Sequence, residues 1–595
     1  MRIVKFVPLT DQDMPNRLRY QIWRIRKPSM ALLSLLRQHR AFFIIIAFAA
    51  VLFLSDIWIY KEFVRAESYF ALGSRLMVEQ GGWLTPHAPD ELPLNKPPLT
   101  YWLIGISFKL FGANYGSARL PSVLAALLIL AIVYLLGTRL EGKRAGLLAV
   151  ALLASSYLFL SFARMAMSDM LLTLFVTASL ACFVVALMDR GSRSKALGLL
   201  GYVALALGVL TKGPVVVALV AVPFGLELAF RRNREDVKRL RLLPGLFLFL
   251  LIAAPYFFLV YLRLGAGPLR FFFFGENLQR FTGQIYGASG RPVWYELAAF
   301  FSDFAPWSLL VFVALWFNWR RRTQTKSSTR LLYLWLGCAI VLFSLSSFKL
   351  DYYLLPAMPA SALIIAPVMA NAETLSRFMR RIVEAFLLLC AIAMVVIALL
   401  SLKAAAALPA STSLRFLPVA VALLGLGAIV VYLVRRQTWQ TTLVLTATIW
   451  ATLLAMQWAL LPSFVRYLPA TQLAASVPAG SVLYTSAAAS DWANCLAFNL
   501  PAPHRVERLV GDRANERLLL VLKSESKSVA VVSENEYASL VAQDPALKIL
   551  AQAETFGHGG LSLSMIRAPR RERLLLIGHD RDQERVVIST AASAR

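Results

Sequence analysis

Cysteine is scarce in this 595-residue chain. Of the four present, Cys182, Cys338 and Cys390 lie inside apolar runs and Cys495 stands alone near the C-terminus, which excludes a disulfide framework and a structural zinc site. Charge is scarce too: 16% of residues are Asp, Glu, Lys or Arg, against about 25% in soluble domains. With 58% hydrophobic residues, the chain reads as an integral membrane protein. Acids are the rarer sign, 33 against 61 Lys and Arg, for a net charge of +28. Those basic residues fall in short clusters between apolar runs, the pattern of cytoplasmic loops, and this argues against nucleic acid as a partner. Neither an internal repeat nor a low-complexity linker is present.

Thirteen apolar runs approach the roughly 20 residues that a bilayer crossing requires. They centre on Ala50, Leu128, Leu153, Leu174, Leu205, Ala221, Leu251, Leu310, Ala339, Ala362, Val395, Leu424 and Leu453. The first 40 residues carry nine Lys/Arg and two acids, so this basic segment, 1–40, is expected in the cytoplasm. The first apolar run is too long and continuous for a cleaved signal peptide. If the following loop lies outside, the clusters RLEGKR, DRGSRSK, RRNREDVKRLR, RRRTQTKSSTR, RFMRR and RRQ should occupy every second loop, and all six do. The complementary, periplasmic side receives loops 61–116 and 263–297, the turns ARMAMSD, TKGP and FKLDYY, and the tail. A transmembrane domain at 41–461 and a periplasmic domain at 462–595 follow. In the tail, AGSVLYT, RLLLVLK and KSVAVVS read as strands and SENEYASLVAQ as a helix, which predicts a small α/β domain.

Charge near hydrocarbon is costly unless it is paired or lines a wet cavity, so the ionisable residues of the outer loops are informative. Five separate outer segments supply cations: Arg65, Lys96, Arg119, Arg164, Lys212, Arg280, Arg291 and Lys349. Singly, each has a simpler reading. Arg119, Arg164 and Lys212 are placed to snorkel, Asp169 to cap a helix, and Tyr353 and Trp294 to join an interfacial aromatic belt. Collected on one face with few acids, they suit an anionic ligand such as a lipid phosphate or diphosphate. In ELPLNKPPLTYW, Pro97 and Pro98 stiffen the backbone beside Lys96 and would hold that cation in place; an ordinary loop-to-helix junction is the alternative.

The residues GGWLTPHAPDELPLNKPPLTYWLIGISFKLFGANYGSARLPSVLAALL, ARMAMSDMLLTLF, GVLTKGP and FKLDYYLLPAMPA resemble, in matching order over most of 50–370, the lipid-carrier-dependent GT-C glycosyltransferases. These include the lipid A aminoarabinose transferase and the protein O-mannosyltransferases. The resemblance implies a mainly α, polytopic fold with about 13 transmembrane helices and a C-terminal periplasmic domain, in a bacterial inner membrane. It also implies transfer of a sugar from polyprenyl (undecaprenyl) phosphate to lipid A, another glycan or a protein. Lys96, Arg280, Lys349 and Tyr353 match positions that contact the donor phosphate; Arg65, Arg164 and Asp169 are supporting candidates.

Departures from the pattern accompany the matches. The first-loop motif Asp-Glu-x-Arg-Tyr aligns with Ala66, Glu67, Ser68, Tyr69 and Phe70, so the catalytic Asp is replaced by Ala66 and Glu67 is the expected base. A one-residue shift would instead place Glu67 on the Asp position. Asp90 and Glu91 are alternative bases. The positions implied for a metal carry Asn95 and Asn277, neutral amides that bind zinc poorly, so no metal or other cofactor is expected. The loss at Ala66 also fits a non-catalytic relative that binds a lipid-linked sugar without transferring it. A transporter is disfavoured by charge gathered at one interface and by the lack of repeated broken helices.

Overall fold

The computed structural model describes residues 39–86, 94–189, 191–285, 287, 289–320, 327–406, 413–501, 506–511, 513–525, 527–555 and 571–579. Most of segment 1–40, together with Asp90 and Glu91, lies outside these residues.

All thirteen apolar centres fall within helices. Among the described residues, seven of those helices are long and apolar enough to cross a membrane: Tyr115–Glu141, Ser168–Met188, Ser192–Lys212, Leu242–Leu264, Arg377–Lys403, Leu414–Val434 and Thr438–Tyr467. An eighth arises if Tyr295–Asp303 and Ser308–Trp319, which meet at 107°, form one broken span. The remaining centres occupy shorter apolar helices. Lys143–Ala154, for instance, has 12 residues and ends where Ser155 Oγ donates to Ala151 O at 2.7 Å. At 1.5 Å per residue it is about 18 Å long, short of a hydrocarbon core of about 30 Å. The chain is thus a multi-span membrane protein in which about half of the expected crossings are single full-length helices.

Helix Ser168–Met188 lies at the centre, with most of its length buried against Tyr115–Glu141 and Ser192–Lys212. Its first turn carries Ser168 and Asp169. Loop 61–116 is itself structured, with helices Arg65–Gln80 and Leu99–Phe111 packed on each other. Leu99 follows Pro98 directly, so Lys96 sits at a loop-to-helix junction whose backbone the two prolines restrict.

The C-terminal region holds a five-stranded mixed sheet. Its strands are β1 (Val482–Thr485), β2 (Val506–Arg508), β3 (Ser528–Ser533), β4 (Leu547–Thr555) and β5 (Glu572–His579), in the spatial order β2-β1-β3-β5-β4. β1 runs parallel to β2 and β3, and β5 runs antiparallel to β3 and β4. Alternation divides its two faces. Tyr484, Ala530, Val532, Leu575 and Ile577 pack with Leu518, Leu519, Leu522 and Leu540, while Leu483, Val529, Val531, Leu574 and Leu576 belong to the cluster containing Phe63, Phe70, Tyr101 and Tyr115. The segment RLLLVLK, expected as a strand, is instead part of helix Ala514–Ser524. Leu518, Leu519 and Leu522 share one helical face there, a pattern that a short apolar run leaves open between strand and helix.

The sheet domain braces the first loop, 61–116. Arg508 NH1 donates to Tyr69 Oη at 2.9 Å, Trp492 Nε1 to Glu62 Oε1 at 2.8 Å and Asn499 Nδ2 to Tyr115 Oη at 2.6 Å.

Candidate active site

A cavity of about 640 Å³ opens where five separated segments meet. These are the five that the charge alternation places on one side of the membrane. Lys96 and Asn95 come from the first loop, Ser168 and Asp169 from the start of the central helix, and Lys212 from the end of the next. Glu276, Asn277 and Arg280 come from the long loop, and Tyr352 and Tyr353 from the FKLDYY turn. Ala66 and Tyr69 of the first-loop helix complete one wall.

The long loop enters the cavity as a π-helical stretch, Phe271–Gln279, followed by Arg280–Thr282. Such wide turns are uncommon and concentrate at functional sites. Asn277 Nδ2 donates to Phe272 O, five residues earlier, at 2.6 Å. Glu276 and Arg280, four residues apart, are thereby presented together. Glu276 Oε2 accepts from Arg280 NH1 at 2.9 Å and from Lys96 Nζ at 2.9 Å, joining two distant segments into one cationic clamp. Lys96 Nζ also donates to Asn95 Oδ1 at 2.9 Å. Asp169 pairs with Lys212, whose ammonium lies 5.7 Å from the ring centroids of both Tyr352 and Tyr353. The Asp169 side chain makes this ion pair and does not cap its helix, whose N-cap is Met167. Burial pushes the Tyr353 phenol up to about 12, with Arg280 pulling it back down, so at neutral pH it is a hydrogen-bond donor.

Several expected site residues lie elsewhere. Glu67 is 2% exposed and does not line the cavity. Its Oε1 accepts from Arg119 Nε at 3.0 Å and from the Ala166 amide at 2.8 Å, and its Oε2 accepts from the Val64 amide at 3.1 Å. Arg119, equally buried, does not snorkel: it also donates to the carbonyls of Ile57, Tyr60 and Glu62. The pair fastens the first loop to the bundle, and both carboxylate oxygens are already engaged. Arg164 pairs with Asp56 at 3.0 Å, away from the cavity. Lys349 is buried and donates to Ser346 O. Ser346, Phe348 and Leu350 line the cavity, whereas Lys349 is not among the residues that line it. The Arg65 side chain lies outside what the structure describes. Glu276 is a charged cavity-lining residue that the sequence analysis did not single out; its i, i+4 spacing with Arg280 is the available signal.

Asn95 and Asn277 share the cavity, as their assignment to one site requires. They do not fit a metal: one amide oxygen is taken by the Lys96 ammonium, and the other amide is turned onto a backbone carbonyl. Among the described residues, no three His, Cys, Asp or Glu side chains are grouped to hold an ion.

Residues 95–258 match the family described as dolichyl-phosphate-mannose-protein mannosyltransferase. The crystal structure of ArnT from Cupriavidus metallidurans bound to undecaprenyl phosphate superimposes with a TM-score of 0.70 at 22% identity, covering 90% of this chain and 97% of that one. The fold is that of this ArnT structure. The resemblance read from the sequence therefore holds. A Pseudomonas aeruginosa (strain LESB58) relative, undecaprenyl phosphate-alpha-4-amino-4-deoxy-L-arabinose arabinosyl transferase, is 34% identical over 308 residues, 50% of this chain and 54% of its own length. An uncharacterized protein of Aquifex aeolicus is 30% identical over 313 residues, 52% of this chain and 60% of its own length. The matched region thus spans little more than half the length of these relatives.

Proposed function

We propose that the chain transfers a sugar from a polyprenyl phosphate, of the undecaprenyl type, to a lipid A, glycan or protein acceptor at the periplasmic face of a bacterial inner membrane. The observation that carries this reading is the convergence of Lys96, Arg280 and Tyr353 from three segments onto one cavity that also holds the Asp169 carboxylate. The cations grip the donor phosphate and stabilise its growing charge, and Tyr353 adds a neutral donor. An acceptor hydroxyl attacks C1 of the sugar and gives its proton to Asp169, which Lys212 holds in place. As the new O–C1 bond forms, the bond between C1 and the phosphate oxygen breaks, and its electron pair leaves with the polyprenyl phosphate. The base role expected for Glu67 passes to Asp169 because Glu67 has no oxygen facing this space. The orientation, with the N-terminus cytoplasmic and the 462–595 domain periplasmic, is supported by the six alternating basic clusters.

Ala66 in the cavity wall favours a competing reading, a binder that holds the lipid-linked sugar without transferring it. One assay separates them. Protein reconstituted in sealed vesicles is given an undecaprenyl-phosphate sugar and an envelope acceptor on the side of the sheet domain. The expected result is labelled acceptor plus free undecaprenyl phosphate, undiminished after thorough chelation. Donor binding with no product on lipid A, glycan or protein supports the binder. Activity lost on chelation and restored by zinc or magnesium places metal ligands elsewhere and overturns the assignment of Asn95 and Asn277.

A further inference from the structure

A carboxylate at the centre of a phosphate clamp repels the ligand the clamp attracts. Glu276 nevertheless occupies that point, with one oxygen shared between Lys96 and Arg280 at 2.9 Å each. It is buried, so water does little to screen it. The charges show what it accomplishes. Among the described residues of the cavity, Asp169 and Lys212 offset each other, and Lys96, Arg280 and Glu276 together leave +1. On the donor reading above, on which this inference rests, the substrate is a phosphodiester with one ionisable oxygen and a charge of −1. The product is a phosphomonoester carrying about −1.5 to −2 at pH 7, because its second pKa is near 6.

We propose that Glu276 sets the charge of the Lys96–Arg280 clamp so that the cavity prefers the phosphodiester donor and expels the phosphomonoester product. When donor binds, the two cations turn from Glu276 Oε2 to the phosphate oxygens. The carboxylate then stands beside a group that gains its second negative charge only once the bond to C1 has broken. The diester leaves the clamp neutral, whereas the monoester leaves a buried charge near −1 with no partner, which is costly away from water, so Glu276 acts on release.

The test measures binding of two probes, undecaprenyl monophosphate and its non-transferable methyl phosphodiester, to the full chain in detergent at pH 8 and pH 5. The cavity's other titratable groups, Tyr69, Asp169, Lys212, Tyr352 and Tyr353, face both probes alike, so the ratio of affinities isolates the ligand's charge. The native protein is expected to prefer the diester by about tenfold at pH 8 and to approach parity at pH 5, where the monoester loses its second charge. Glu276→Gln should tighten the monoester by about tenfold more than the diester and so abolish the preference at pH 8. Glu276→Asp, which keeps the charge, should retain it. Equal affinities at both pH values in the native protein, or a Glu276→Gln variant that tightens both probes equally, overturns the proposal while leaving the donor reading intact. Failure of the native protein to bind either probe overturns both.

Discussion

Replacing Asp169 with Asn is expected to lower turnover by about 10²–10⁴, the usual contribution of a general base, while donor affinity stays within a few-fold of native. The substitution keeps the shape of the side chain and its position in the first turn of Ser168–Met188, and removes only the capacity to accept a proton. It also deprives Lys212 of its ionic partner, but that ammonium lies on the cavity and retains access to water. Steady-state kinetics with separate measurement of donor binding distinguish the roles. A base affects kcat, whereas a residue that merely shapes the cavity affects KM and donor affinity together. A variant with near-native kcat would move the base to another group.

The second large effect concerns folding. Glu67→Gln leaves the Arg119 guanidinium buried without its counter-charge, and breaking a buried pair in this way costs about 3–5 kcal/mol. Because Glu67 also accepts from the amides of Val64 and Ala166, the loss should loosen the attachment of the first loop to the bundle. The expected result is a marked fall in thermal stability in detergent, with the molecules that remain folded turning over at close to the native rate. Replacing both partners with apolar residues of similar volume should restore much of the stability, since neither charge is then left unpaired. A Glu67→Gln protein as stable as the native one but slower by 10² or more would return the base role to Glu67.

These two carboxylates show how far the sequence could be read. The ordered motifs found Lys96, Arg280 and Tyr353, and the cavity joins them because each motif is a loop or helix end on the same side of the bundle. Local sequence did not distinguish Glu67 from a catalytic acid. What decides its role is Arg119, 52 residues away, and the Ala166 amide, 99 residues away. Glu276 was hidden for the same reason, since its bond to Lys96 spans 180 residues. Lys349 matches the pattern, yet its ammonium donates to the Ser346 carbonyl three residues earlier and its neighbours Phe348 and Leu350 line the cavity in its place. The thirteen apolar centres were legible as helices, but their lengths were not, because breaks such as that at Ser155 depend on side-chain bonds to the preceding turn. In the sheet domain, KSVAVVS and SENEYASLVAQ were read correctly as β3 and the following helix, whereas RLLLVLK has an apolar run too continuous to reveal its period.

The most direct measurement is a structure of the protein with undecaprenyl phosphate bound. The phosphate is predicted to lie between Lys96 Nζ and Arg280, displacing Glu276 Oε2 from its shared position, with Tyr353 Oη donating to it. A phosphate seated instead beside Lys349 and Arg291, outside this cavity, would contradict its assignment as the donor site.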